Sequence, residues 1–351
     1  MADPSIPASL LTGLFDAPAW HLHRVVFAAR EAFFLRANRA FYARASFLDQ
    51  RAIAEGKTLY RVPLMPVLAR FRECAPPPRP IFFIFHTAFC GSTLLSRCLD
   101  RPGVCLAYRE PSLFHQLSLV KRQNPMPEVP RPTPLLDVAL ALFARTYSAS
   151  EVPLVKPSDT CINLAREVLT SHPASAGLLL YAPLEAFLVS MLKNRERRHY
   201  LRGMIRRTRH DLDAFGRLPG LNAEALPDAR VAAFVWIGLM VFYLDLLADE
   251  DLRVRSLKAS VFYEHPEATL EAAARFFGLA LTPEDIAAAR HGIFARNAKA
   301  PDRAFDKAAY DAAHKHLARL LDDEIRDGLA WAAEMMRNHP IPNVLPRPLL
   351  P

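Results

Sequence analysis

The stretch IFFIFHTAFCGSTLLSRCLD, residues 81–100, limits the fold more than any other part of this chain. Residues 81–85 are all apolar. They run into His86, then a short turn through Thr87, Ala88, Phe89 and Cys90. Gly91, Ser92 and Thr93 follow and open an apolar helical repeat at Leu94, Leu95 and Leu99. A run apolar at every position suits a strand covered on both faces, and its passage straight into a helix suits a parallel α/β sheet. A glycine-containing turn at a helix N-terminus offers free N–H groups and the positive end of the helix dipole, so the segment predicts an anion cradle. The Gly-Lys-Ser/Thr ending of an ATP-binding loop is absent, because Ser92 follows Gly91.

Four further strands are predicted at 104–108, 152–155, 177–181 and 253–257, with helical patterns at 92–100, 136–147, 160–171, 185–210 and 228–248. Alternating strands and helices predict a parallel sheet covered on both faces, with ligands outside the carboxyl ends of its strands. The informative residues are therefore those just after each strand: 86–92, Arg109 with Glu110, Lys156 to Ser158, and Ala182 with Pro183. Residues 18–55 have no glycine or proline after Pro18 and read as one or two amphipathic helices, their basic residues forming a solvated face. The run PPPRP at 76–80 breaks the chain before the first strand of the sheet. The proline-rich piece at 124–134 reads as a loop. The tail from His339 onward reads as irregular chain that wraps the surface or a neighbouring subunit, or stays disordered. The expected organisation is an N-terminal helical extension at 1–75, an α/β domain at 76–335 and a proline-rich tail at 336–351.

A formal charge of +8 fits an anionic ligand but is too small to imply nucleic acid. Five cysteines without a C-x-x-C pair suggest neither a zinc site nor a disulfide framework, which makes a reducing cytosol the default. The N-terminus lacks the basic start of a signal peptide. The most apolar run, 231–244, falls short of the roughly 20 residues that span a bilayer and reads as a buried helix.

An ATP-using loop needs its lysine on the phosphates and Mg²⁺ held partly by an acidic residue at a strand end. The lysine is missing, and no apolar run ends in the required aspartate. The cradle is expected to hold an anion that travels without magnesium, such as a nucleotide phosphosulfate. At these residues the chain resembles the sulfotransferases that use 3′-phosphoadenosine 5′-phosphosulfate (PAPS). Their 5′-phosphosulfate loop reads Pro-Lys/Arg-Ser-Gly-Thr-Thr. Here Gly91, Ser92, Thr93, Leu94 and Leu95 match, and Phe89 stands where the family carries its basic residue. Four more stretches follow in the family's order: VCLAYREPSLF from residue 104, VPLVKPS from 152, GLLLYAPLEAFLVSMLKNR from 177 and SVFYEHPEATLEAAARFFGL from 260. The resemblance spans roughly residues 80 to 300. A second departure is Tyr181-Ala182-Pro183, which stands where the family has Arg-Asp-Pro, with Ser190 one residue further on than usual.

The resemblance implies a three-layer P-loop-like α/β fold and sulfuryl transfer from PAPS to a hydroxyl or amine of a small-molecule or glycan acceptor, without a metal, a membrane span or nucleic acid. It implies a donor site of Phe89, Cys90, Gly91, Ser92, Thr93 and Leu94, with Ser190 on the 3′-phosphate. Arg198 (or Arg197), from the basic run at 193–209, replaces the missing arginine, and Arg296 and Lys299 close over the nucleotide. Lys156 stands where the family has its active-site lysine, and His86 is expected to help neutralise the sulfate. Ser158 occupies the family's histidine position and is a poor base, so Glu110, directly after the second strand, is expected to be the general base, with Asp159 or His86 next in line. Structural readings stand beside these. Glu110 would pair with Arg109 or a core arginine, Lys156 would be a surface lysine, His86 a packed core residue, and Ser92 and Thr93 helix caps. A nucleophilic Cys90 is a minor alternative. A kinase on the same fold and an inactive nucleotide-binding protein are the competing functions, and a homodimer stays open.

Overall fold

The computed structural model describes residues 8–53, 58–123, 133–214, 222–298, 300–304 and 307–350. Five strands form the central sheet: β4 (Phe82–His86), β5 (Cys105–Arg109), β6 (Val152–Lys156), β7 (Ala176–Tyr181) and β8 (Val254–Lys258). They are parallel in the order β5-β6-β4-β7-β8. β4, β5 and β7 are buried at every residue, which is why their sequences run apolar rather than alternating until the last residue, His86 in β4 and Arg109 in β5. The chain leaves β4 for the β5 edge and later returns to β7 on the other side. The crevice at that reversal is where an open α/β sheet binds its ligand.

The N-terminal residues depart from the helical expectation. Trp20–Val26 (β1), Glu31–Arg36 (β2) and Leu59–Pro63 (β3) form a three-stranded antiparallel sheet, flanked by short helices at Ala8–Thr12, Arg39–Arg44 and Leu64–Cys74. The hairpin between β1 and β2 turns without glycine or proline, because Arg30 takes a left-handed φ of 53°. A turn that lacks its usual residues leaves no local signal, so residues 18–55 read as continuous helix.

A buried arginine clamps this unit to the β5 edge. Arg109, fully buried, pairs with Asp100 at 2.8 Å and donates to the carbonyls of Ala45 (2.8 Å), Tyr42 and Ala43. Arg39 adds Asp100 at 2.6 Å and Glu151 at 3.0 Å. Leu48 N–H donates to Arg109 C=O at 2.7 Å. These contacts bring the chain around residues 47–51 to the carboxyl end of β5, so the N-terminal basic residues are not simply a solvated face.

The helix Asp228–Ala248 is apolar on all sides and packs against Leu184–Leu192, Arg195–Ala214 and Asp322–Met335. At 21 residues it is long and apolar enough to cross a membrane by length and composition, and 78% of its apolar window lies inside the fold. The apolar run seen in the sequence was only its middle. Trp236 donates to the Ala182 carbonyl at 2.9 Å, which anchors the helix under the β7 end. The tail docks along β8: Ser256 N–H donates to Arg347 C=O at 2.9 Å and Leu349 N–H to Ser256 C=O at 2.8 Å. It therefore covers the edge of this chain's own sheet.

Candidate functional site

The cradle forms as the sequence implies. Gly91 (φ 87°) is the N-cap of the helix Ser92–Leu99, and its carbonyl accepts from Leu95 N–H at 2.9 Å. The N–H groups of Ser92, Thr93 and Leu94 then belong to a first turn without intrahelical acceptors. Ala88 (φ 63°) and Phe89 (φ 48°) also take left-handed backbone, as does Glu110 (φ 50°). Each such non-glycine residue costs about 1–2 kcal/mol, and such strain gathers at functional sites. Gly91 is required for a second reason: a Cβ there would lie 2.8 Å from Tyr263 Oη.

A cavity of about 570 Å³ opens over this turn, within the range of about 300–1,000 Å³ usual for small-molecule sites. Phe89, Gly91, Ser92, Thr93 and Leu94 line its floor. Glu110 and Asp159 enter from β5 and β6, and Ser190 and Arg197 from beyond β7. Arg296 and Ala298 line it near the C-terminal end, where Arg97 donates to Ala298 C=O at 2.8 Å. Lys299 lies outside the described residues.

Arg197 restores a charge where Phe89 removes one. Its guanidinium stacks 3.7 Å over the Phe89 ring and donates to the Ser190 carbonyl at 2.8 Å. Arg198, the neighbour carried into the site from sequence, points elsewhere. It binds Glu324 at 2.7 and 2.9 Å and Asp228 at 3.3 Å, away from the cavity. Successive helix residues project about 100° apart, so only one of the two faces the site.

His86 lines the cavity but holds the loop. Its Nδ1 accepts from Ala88 N–H at 3.1 Å, so Nε2 carries the proton and donates to Pro157 C=O at 3.0 Å. A ring in that tautomer is neutral, so His86 adds no positive charge to the cavity in this arrangement. Cys90 is buried, with Sγ 3.7 Å from the Leu180 carbonyl, and burial pushes its thiol above the ordinary range. A thiolate nucleophile is disfavoured there.

Glu110 and Lys156 meet. The lysine, fully buried, donates to Glu110 Oε1 at 2.5 Å, and Arg51 stands 3.4 Å from Oε2. The structural pairing expected with Arg109 is therefore made with Lys156. Asp159 is buried and bound by Tyr200 Oη at 2.8 and 2.7 Å, Ser158 Oγ at 3.1 Å and Thr160 N–H at 2.8 Å. Burial raises its carboxyl above the usual range, against the lowering effect of those donors. Phe47 and Arg51, stacked at 3.4 Å, complete the wall from the N-terminal unit. Sequence reasoning missed Phe47, Arg51 and Tyr200 as site residues, since no local motif marks them, and took Tyr263 only as part of the stretch from residue 260 without placing it in the site.

Sheet order and cradle together define an α/β protein with a glycine-containing strand-to-helix turn at a topological switch point. No family model and no curated protein matches the chain. Among solved structures the chain is similar to a sulfotransferase domain from the curacin biosynthetic pathway, at 14% identity and a TM-score of 0.41, covering 70% of this chain and 98% of that one. It is also similar to a sulfotransferase from Alicyclobacillus acidocaldarius, at 15% identity and a TM-score of 0.35, covering 74% and 96%. A third is a sulfotransferase from Mycobacterium avium, at 14% identity and a TM-score of 0.37, covering 73% and 81%. The strand order carries the fold assignment, and the side chains around the cradle carry the functional one.

Proposed function

We propose that this chain transfers a sulfuryl group from PAPS to a hydroxyl or amine of a small-molecule or glycan acceptor. One observation carries the reading: the cradle at Gly91–Thr93 and the Ser190–Arg197 contact share one cavity. The donor set fits a doubly anionic nucleotide. Helix N–H groups and two hydroxyls suit the 5′-phosphosulfate, and Arg197 with Ser190 suits the 3′-phosphate. Arg296 at the rim adds a third positive group.

The donor, when bound, supplies an activated sulfuryl group, and the chain's own residues do the rest. Ser92 and Thr93, both buried, fix the register of the anion on the helix. Arg197 balances charge beside Phe89. Lys156 reaches the cavity only through Glu110, so the pair acts as one unit at the β5–β6 end. Transfer of this kind rests on positioning and charge stabilisation, together with removal of the acceptor's proton. Three carboxylates line the cavity: Glu110, the one expected from sequence, Asp159 just after β6, and the exposed Glu196.

Thermal shift tests the reading. A ligand bound only by the native state raises the melting temperature. Adenosine 3′,5′-bisphosphate should stabilise the protein, and adenosine 5′-monophosphate should do so less. Stabilisation by Mg-ATP alone would point to a kinase, and stabilisation by none of them would remove the donor assignment.

A further inference from the structure

Three carboxylates border the cavity; Glu196 is exposed in the first turn of the helix Arg195–Ala214, and the other two have surroundings that differ in kind. Glu110 is engaged by cations, Lys156 at 2.5 Å and Arg51 at 3.4 Å. The Lys156 ammonium is fully buried and has no other hydrogen-bonding partner among the described residues, so Glu110 is already engaged as its charge partner. Asp159, 3% exposed, has no ion pair among the described residues and is held by three neutral donors: Tyr200, Ser158 and Thr160. A proton arriving there removes a charge that the interior disfavours.

Tyr200 sits where such a proton would enter. Its hydroxyl donates to both Asp159 oxygens, at 2.8 and 2.7 Å, and its ring meets Phe89 of the cradle edge-on at 6.3 Å. Arg197, three residues earlier on the same helix, stacks on that phenylalanine too. The phenol therefore belongs to the wall between cradle and carboxylate, and both Tyr200 and Asp159 line the cavity. With its hydrogen committed to Asp159, the phenol oxygen still offers a lone pair to an incoming hydroxyl or amine.

We propose that Tyr200 and Asp159 form the proton relay of the reaction, with Glu110 kept as the charge partner of Lys156; this rests on the sulfuryl-transfer reading above. As the acceptor's oxygen or nitrogen bonds to sulfur, its proton passes to Tyr200 Oη and the phenol's own proton passes to Asp159 Oδ. The bond between sulfur and the donor's phosphate oxygen breaks, and its electron pair leaves on the phosphate. Asp159 ends the step protonated and returns the proton to solvent when product departs. Burial first, then the Glu110 charge, raises the Asp159 carboxyl, and Lys156 lowers it, while Glu110, Arg207 and Arg51 act on Tyr200.

The test has two arms. The first needs neither donor nor acceptor: infrared titration of the carboxyl stretch in wild type, Asp159→Asn and Tyr200→Phe. A carboxyl titrating above the ordinary aspartate range should be present in wild type and absent from Asp159→Asn. In Tyr200→Phe it should move further up, because that hydrogen bond favours the carboxylate. No such group, or one unchanged in Tyr200→Phe, overturns the pairing. The second arm uses PAPS with 2-naphthol, which brings a proton, and 4-nitrophenol, which is largely ionised near neutral pH. Tyr200→Phe should lower kcat on 2-naphthol by about 100-fold and change 4-nitrophenol little. An equal loss on both probes, or none on either, overturns the relay while leaving sulfuryl transfer intact. A wild type that binds adenosine 3′,5′-bisphosphate yet sulfates neither probe nor water overturns the transfer and the relay together.

Discussion

Replacing Glu110 by glutamine should cost the fold more than replacing the lysine it pairs with. Lys156 is fully buried and has Glu110 as its one hydrogen-bonding partner among the described residues, whereas the Glu110 side chain is 18% exposed and keeps Arg51 at 3.4 Å. Breaking a buried pair from one side costs about 3–5 kcal/mol, because the charge left behind has no compensation. The partial exposure of Glu110 and the amide oxygen of glutamine place Glu110→Gln near the lower end, about 3 kcal/mol. At about 2.1 cal/mol/K per residue of unfolding entropy, that is about 4 °C in Tm for a chain of this length unfolding as one unit. Lys156→Met leaves a half-solvated carboxylate beside Arg51 and should cost about 1 kcal/mol or less. The double variant should recover much of the Glu110→Gln loss, since no buried ammonium remains. Urea unfolding of wild type, both single variants and the double variant closes the cycle. If Glu110→Gln stays within about 0.5 kcal/mol of wild type, or Lys156→Met proves the costlier change, the pair is not the buried unit described here.

Three further outcomes follow from separate parts of the molecule. His21 and His23 are buried, and burial lowers them to about 3 and about 4 from 6.5, so both are neutral in the native protein. The unfolded chain takes up their protons below 6.5 and the native one does not; stability is therefore full above that pH and falls as pH drops toward 4, by up to about 2.7 kcal/mol per pH unit for the two together. Acid titration of urea stability should show this slope, and His23→Phe should remove about half of it; an unchanged slope would refute the assignment. Arg197→Ala should weaken adenosine 3′,5′-bisphosphate binding by about tenfold or more in calorimetry. Arg198→Ala, which loses partly exposed bridges to Glu324 and Asp228, should leave that affinity alone and cost about 1 kcal/mol or less; the reverse pattern would exchange the two roles. Gly91→Ala should destabilise by about 1–3 kcal/mol, from a left-handed backbone and a Cβ lying 2.8 Å from Tyr263 Oη. Adding Tyr263→Ala should return the steric part, and no rescue would mean the backbone alone is responsible.

Much of the fold could be read along the chain, because most of the central strands announce themselves by an apolar run, β8 (Val-Arg-Ser-Leu-Lys) being the exception. The five strands of the parallel sheet and the helix beginning at Ser92 lie within a residue or two of their expected bounds. The cradle was legible for the same reason: a strand, a glycine turn and a helix start are local events, written within a dozen neighbouring residues. The N-terminal sheet was not. Its hairpin turns at Arg30 without turn chemistry, and the apolar spacing of residues 18–55 satisfies a helix as readily as a strand.

The order of the motifs determined the class of ligand, and tertiary structure decided which side chains meet it. Nothing in KNRERRHY tells Arg197 from Arg198, since both have the same local environment until the helix docks and turns one toward Phe89 and the other toward Glu324. Phe47 and Arg51 reach the cavity because Arg109 clamps residues 42–45 to the far edge of the sheet, a contact more than sixty residues long in sequence. The contrast between Glu110 and Asp159 is likewise a matter of packing: the first, partly exposed, pairs with a buried lysine, and the second is buried against a phenol. Periodicity and turn chemistry act over a few residues and are visible in a sequence. Burial, charge pairing and the lining of a cavity arise between elements distant in the chain, and they exist only once the sheet has brought those elements together.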